Sequence, residues 1–335
     1  MKIGKIYKVI IIGCGLIGQK RAESLESATL VGCCDINENT AREFSFKNGN
    51  IPFFTNYEKL IDQVNFDLAI ISATHNALPD LIKKTLNVNK HVLVEKPAGI
   101  FFKDLEILQE MAKKNNCIVH IGFNHRYHRA IRKAKEIVDS GHIGELMFIR
   151  SRYGHGGRLG YDNEWRANPE LSGGGELIDQ GSHLIDLSRY FLGDFNKVHG
   201  YAKTYFWKMP VDDNAFMILE NDKGNIAHLQ VSCTEWKNMF SLEIYGKNGK
   251  IDINGLGGSY GTEKITYYKM LPEMGPPETY SWEYPMKDDS WNYEFKIFLN
   301  KIEMNLDSSP NLIDAIENLK IINKIYKDSN YDYSS

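Results

Sequence analysis

The sequence predicts an N-terminal α/β domain on a doubly wound parallel sheet, then an α+β domain with a large, mainly antiparallel sheet. Three observations predict it. Residues 8–18 run from an apolar segment into Gly13-x-Gly15-x-x-Gly18, and Gln19 to Leu25 continue with helical character. Apolar segments then alternate with helical patterns as far as Gly122, which implies parallel strands covered on both faces. Past residue 125 strand-like segments follow one another through short turns, the mark of antiparallel pairing. A chain of 335 residues has room for two such domains. Their expected extents are 1–123 and 124–335, with a C-terminal helix over 311–327 expected to pack back on the first.

In order along the chain, Gly13 permits a tight turn, Gly15 lets backbone approach a pyrophosphate, and Gly18 lets helix and strand pack closely. The N–H groups of the loop and helix start, with Leu16 and Ile17, then face the phosphates. A second strand over 30–34 ends in Asp35, placed to accept both ribose hydroxyls of an adenosine and to repel a 2′-phosphate. This is the fingerprint of a Rossmann domain for NAD, with NADP disfavoured. Helices are expected over 39–47, 78–86 and 103–115, and strands over 66–72, 91–95 and 117–122. Thr74, Glu95-Lys96-Pro97 and Asn124-His125-Arg126 therefore fall at the carboxyl ends of strands, where ligands bind in such sheets. In the second half a helix is expected over 130–140 and strands over 146–152, 198–206, 215–220, 225–235, 240–246 and 250–253. Turn signals stand at 222–225 and 246–249. The proline-rich stretch 270–289 reads as an extended loop, and helices over 290–304 and 311–327 close the chain.

A net charge of −3 and a pI near 6.4 argue against nucleic acid or an anionic membrane as partner. Five cysteines without metal-ligand spacing read as reduced core residues, so no metal is expected. No apolar run approaches a membrane span, and a cytoplasmic location is expected.

The Glu95-Lys96-Pro97 triplet, downstream of the glycine loop, resembles the glucose–fructose oxidoreductase / inositol dehydrogenase / MocA family of nicotinamide-dependent dehydrogenases. Further segments agree: Thr74-x-Asn76, Lys90-His91, Gly122-Phe-Asn-His-Arg126, the run Gly173-Gly-Gly-Glu-Leu-Ile-Asp179-Gln-Gly-Ser-His183-Leu-Ile-Asp186, and Glu243-Ile-Tyr-Gly246. His75, Pro79 and Asn89 depart from the family's usual residues. The resemblance implies a cofactor site of Gly13, Gly15, Leu16, Ile17, Gly18, Asp35, Thr74, Asn76, Glu95, Lys96, Trp165 and Arg166. It also implies Lys96, Asp179 and His183 as the catalytic group, a cis peptide before Pro97, and a homodimer or homotetramer formed through the broad sheet.

The residues themselves fit that chemistry. Oxidising a secondary alcohol removes a hydride and a proton, and histidine is the side chain that titrates near neutral pH unaided. Asp179 and His183, four apart on an expected helix over 175–192, share a face, which Asp186 and Tyr190 extend. His183 is expected as proton acceptor, Lys96 as oxygen-binding relay, and Asp179 as orienter and substrate ligand. The polar loop 153–171 adds His155, Arg158, Asn163, Trp165 and Arg166, planar polar groups and an aromatic face suited to a polyhydroxylated ligand. With Arg126 these complete the expected substrate site. The reading is an NAD-dependent dehydrogenase of a sugar, cyclitol or nucleotide sugar. Its alternatives are an NAD-using glycoside hydrolase of the same fold and a non-enzymatic ligand sensor.

Overall fold

The computed structural model describes residues 5–331. The described chain divides into two compact units, one of residues up to 122 with 291–316, the other of 123–290 with the residues from 317 on. The first break falls one residue from the expected boundary. The second unit is not the single uninterrupted segment expected, because residues 291–316 belong to the first.

The first unit is built on β1 (Tyr7–Ile12), α1 (Leu16–Glu23), β2 (Ala28–Cys34), α2 (Glu38–Lys47), β3 (Phe53–Phe54), α3 (Tyr57–Gln63), β4 (Leu68–Ile71), α4 (Leu78–Asn87), β5 (His91–Glu95), α5 (Phe102–Lys114) and β6 (Val119–Gly122). Its strands lie in the order β3-β2-β1-β4-β5-β6, all parallel. The order reverses between β2–β1 and β1–β4, so the glycine loop after β1 opens at the switch point. Val9, Ile10 and Ile11, and Leu68 through Ile71, are wholly buried, as continuous apolar strands under helices on both faces must be. The short β3 and α3 were not expected. Asn56 caps α3 by accepting the Lys59 N–H at 2.9 Å, a local signal set in a segment with little apolar periodicity.

The second unit opens with α6 (Arg129–Asp139) and β7 (Leu146–Gly154), then α7 (Pro169–Ser172) and α8 (Ser182–Leu192), then β8 (Lys197–Lys203), β9 (Asn214–Glu220), β10 (Ile226–Ser232), β11 (Met239–Gly246), β12 (Gly249–Asn254), β13 (Glu263–Lys269) and β14 (Glu278–Tyr284). Its eight strands run β14-β13-β12-β11-β7-β10-β9-β8. Every pair is antiparallel except β7 with β10. The expected turns stand where the signals placed them. Asn221 Oδ1 accepts from the N–H groups of Lys223 and Asn225 between β9 and β10, and Gly246 pairs with Gly249 between β11 and β12.

The stretch 270–289 corrects the expectation of a loop, since it contains β14. Thr279, Tyr280, Trp282 and Tyr284 are strand formers. The prolines stand outside the strand, which lies at the sheet edge, where missing N–H donors are tolerated. Two helices close the described chain, α9 (Ser290–Met304) and α10 (Leu312–Asp328). Phe295, Phe298 and Leu299 of α9 complete the first unit's core with Tyr7, Val9, Ile11 and Leu93. Among the described residues no helix is long and apolar enough to cross a membrane. All five cysteines are free and buried.

Candidate active site

The glycine loop has the geometry its spacing requires. Gly13 takes φ +89°, and a Cβ there would lie 2.3 Å from the Ser72 carbonyl oxygen, so only glycine fits. A Cβ on Gly18 would fall 2.0 Å from the Gly13 oxygen, which sets how closely α1 approaches the loop. Around Gly15 a Cβ would meet nothing within 4 Å. That is the open side on which backbone can receive a pyrophosphate. The N-terminus of α1 carries no side-chain cap and no acidic residue in its first turn, so its donors and positive dipole remain for an anion. Leu16 is exposed and Ile17 half-buried.

Asp35 stands at the end of β2. Its Oδ2 accepts the Cys14 N–H at 2.8 Å and its Oδ1 the Asn37 N–H at 2.9 Å. A carboxylate has about four acceptor sites, so these bonds orient Asp35 while leaving capacity for a ribose diol. Arg42, the cation of α2 nearest in sequence, pairs with Glu38. At the end of β4, Thr74 Oγ1 donates to Asn76 Oδ1 at 2.8 Å. Backbone donors, open space and a ribose acceptor together fit an adenine dinucleotide.

At the end of β5 lies a cluster that sequence reading did not anticipate. Arg21 of α1 is fully buried. Its Nε donates to Glu95 Oε1 at 2.6 Å, with Nη2 2.5 Å from the same oxygen, and Nη1 donates to Glu294 Oε2. The Trp291 ring lies 4.4 Å from the guanidinium. Burial raises the Glu95 carboxyl pKa, against the lowering effect of Arg21, and the Glu294 charge raises it further. Lys96 follows directly, and the Lys96–Pro97 peptide is cis, as the resemblance implied. Arg21 sits in the glycine-loop helix and was visible there. Glu294, far along the chain, carried no such signal.

Asp179 and His183 lie in the second unit, and their helix is not the uniform one expected. Leu177–Gly181 form a π-helical turn that leads into α8. Such turns occur mostly as single insertions in α-helices, often at functional sites. The expected polar face is buried too: Asp179, His183 and Asp186 are all at most 9% exposed. The His183 ring stacks on His125 with centroids 3.6 Å apart, and Tyr153 and Phe123 meet it edge-on at 6.2 and 6.4 Å. His125 and Tyr153 were not among the expected site residues. Asp179 Oδ2 accepts from Arg166 Nε at 2.8 Å. Arg166 in turn lies over Trp165, 4.6 Å from the ring centroid.

Gly174 and Gly175, which precede this turn, are held to glycine by close packing. A Cβ on Gly174 would lie 2.1 Å from the Tyr326 hydroxyl, and one on Gly175 would lie 1.8 Å from the Asp212 carbonyl oxygen. The glycines make room for an anchor. Asp212 accepts the Gly175 and Leu177 N–H groups at 2.9 and 2.8 Å and the Tyr326 hydroxyl at 2.7 Å. Burial pushes the Asp212 carboxyl up to about 6, against the three bonds that favour its charge.

The loop 153–171 is pinned rather than solvated. Tyr161 and Ala167 are buried with Met209, Val211 and Cys233, and the Tyr161 hydroxyl donates to the buried Glu176 at 2.6 Å. His155 Nδ1 accepts the Gly157 N–H, and its Nε2 faces Glu176 Oε1 at 3.4 Å. Arg158 and Asn163 are exposed, Arg158 pairing with Glu164 at 2.7 Å. Arg126, expected to bind substrate, is buried and makes a bidentate pair with Asp186, Nε–Oδ2 2.8 Å and Nη2–Oδ1 2.6 Å, a partner that one-dimensional spacing does not show.

Residues 7–123 match the sequence profile of an oxidoreductase family with an NAD-binding Rossmann fold, GFO/IDH/MocA, and residues 131–252 match the GFO/IDH/MocA C-terminal domain. The chain belongs to the GFO/IDH/MocA family. Its first unit is accordingly the family's NAD-binding domain. A myo-inositol 2-dehydrogenase of Thermotoga maritima is 30% identical over 194 residues, 56% of this chain and 55% of that protein. A levoglucosan dehydrogenase of Pseudarthrobacter phenanthrenivorans is 22% identical over 64% of this chain and 61% of its own length. The chain thus matches little more than half the length of these two relatives. A solved levoglucosan dehydrogenase in complex with NADH and L-sorbose has the same fold, with a TM-score of 0.87, 18% identity and 97% of both chains covered.

Proposed function

We propose that this GFO/IDH/MocA protein is an NAD-dependent dehydrogenase. It would oxidise a secondary alcohol of a sugar, cyclitol or nucleotide sugar to a ketone, or run the reverse reduction. The observation that carries the reading is the buried Asp179–His183 turn, held by dedicated anchors, in a chain whose other unit has an open glycine loop. Myo-inositol 2-dehydrogenase and levoglucosan dehydrogenase among the relatives support a polyhydroxylated substrate.

Bound NAD supplies the hydride acceptor. His183 takes the hydroxyl proton, its ring plane fixed by the stack on His125. A ring locked by packing loses little entropy in reaching the reacting geometry. Asp179, paired with the guanidinium of Arg166, accepts a substrate hydroxyl and favours a charged imidazole on the same turn. Lys96 binds the reacting oxygen and stabilises its developing negative charge. Trp165, His155 and Arg158 contribute to substrate recognition from the pinned loop.

The broad sheet leaves Phe148, Phe216, Ile218 and Ile226 exposed on one face, on strands whose alternate residues are mostly buried. An apolar face of this kind marks an association surface, and we assign it to a homodimer or homotetramer.

The first test is absorbance at the reduced-nicotinamide band with NAD or NADP and a panel of inositols, aldoses, sugar acids and nucleotide sugars. A signal with NAD and one substrate class supports the reading. Silence across the panel with cofactor bound overturns it in favour of a redox-neutral hydrolase or a sensor.

A further inference from the structure

In the NAD-binding unit, the guanidinium of Arg21 is shared between two carboxylates, Glu95 and Glu294. Four elements are committed to this arrangement. Arg21 comes from α1 and Glu95 from the end of β5, while α9 supplies Glu294 and Trp291. Gly122 ends β6, where a Cβ would lie 2.6 Å from Arg21 Nη2 and 3.2 Å from both Glu95 oxygens. Arg21 and Glu294 are without solvent exposure, whereas the Glu95 side chain retains 13%. Glu95 is thus the member of the cluster that reaches the surface, at the carboxyl end of β5, an interior strand of the sheet, and next to Lys96.

The charges do not cancel within the triad. One guanidinium faces two carboxylates, its Nε and Nη2 engaged by Glu95 and its Nη1 by the fully buried Glu294. His120 Nε2 lies 3.6 Å from Glu294 Oε1, and Lys96 acts on Glu95 more weakly than Arg21 does. Burial, and after it the Glu294 charge, raises the Glu95 pKa despite the ion pair. A surface-reaching carboxylate whose charge is incompletely balanced attracts a nearby cation. The two redox forms of a nicotinamide ring differ by one positive charge, which the oxidised form carries.

We propose that Glu95, held by Arg21 and Glu294 as positioning residues, makes the nicotinamide site favour the oxidised over the reduced ring. The inference rests on the NAD-binding reading and adds a role in setting the balance between the two redox forms. Glu294 sustains it by drawing part of Arg21 away from Glu95.

The test is the ratio of dissociation constants for NAD and NADH, measured calorimetrically on the full chain without substrate. Glu95→Gln keeps the side-chain shape and removes the charge. It should weaken NAD relative to NADH by about tenfold. Glu294→Gln leaves Arg21 to neutralise Glu95 and should move the ratio in the same direction by a smaller factor. A partly unfolded variant lowers the active fraction for both ligands alike, so the ratio survives a stability loss. An unchanged ratio in both variants, even with both affinities lower, would overturn the proposal and leave the cluster a structural one. If the unaltered protein bound neither NAD nor NADH, the NAD reading itself would fail, a separate outcome from an unchanged ratio.

Discussion

Arg126→Met separates a structural clamp from a substrate ligand. Arg126 stands in a short 3-10 turn, Asn124–Tyr127, and Asp186 in α8. Their side chains are 3% and 1% exposed, and both bonds of the bidentate pair are shorter than 3 Å. Removing the guanidinium strips a buried carboxylate of this counter-charge, a change that costs about 3–5 kcal/mol. Total stabilities are of the order of 5–15 kcal/mol, so the loss is large. With a urea dependence of about 1–3 kcal/mol per molar, the unfolding midpoint should fall by about 1 M or more. Tryptophan fluorescence follows it well, because Trp165, Trp207, Trp236 and Trp282 lie in the second unit and only Trp291 in the first. The double variant Arg126→Met with Asp186→Leu should recover most of the loss, since an apolar pair of similar volume often replaces a buried ion pair at little cost. A normal midpoint with a raised substrate KM would refute the clamp and restore Arg126 to the substrate site. A double variant as unstable as the single one would show that charge is not the cause.

Three further outcomes are expected. Asp35→Ala should weaken NADH binding more than NADPH binding in a fluorescence titration, and an equal loss would sink the ribose assignment. Lys96→Ala should bind cofactor normally and lose turnover by a factor of about 100 or more, whereas normal turnover would remove Lys96 from the catalytic group. Asp212 gives a pH signature. Its folded pKa, about 6, lies above the ordinary carboxylate value, so between about pH 6 and pH 4 the folded chain holds more proton here than the unfolded chain. This contribution therefore favours folding more as pH falls, by about 1 kcal/mol between pH 7 and pH 5. Comparing Asp212→Asn with the unaltered chain by urea unfolding at both values should show that increment lost, and an identical pH dependence would contradict the assignment.

The alternation of apolar strands and helices, the glycine loop and Asp35 were legible because each depends on near neighbours. A glycine turn needs φ above zero wherever the chain goes, and a fully covered parallel strand must be apolar along its length. Asp179, His183 and the Glu95-Lys96-Pro97 triplet were legible for a related reason, since each sits in a short run of residues whose spacing carries the resemblance. Strand β14 was hidden because its prolines outweighed the four strand formers between them until the sheet edge was known.

What the tertiary structure alone decided is who answers each buried charge. Arg21 and Glu294 are separated by most of the chain, Gly175 and Tyr326 by 151 residues, and Arg126 and Asp186 by 60. Spacing along a sequence cannot encode such contacts, because they form only when packing removes water and leaves each polar group the counterparts packed beside it. The same holds for the π turn under Asp179 and the imidazole stack on His183. Local pattern in the chain was enough for a dinucleotide-binding domain, a mainly antiparallel sheet and a set of residues to suspect. The fold determined which of them are anchored by burial and which are spent on holding others in place.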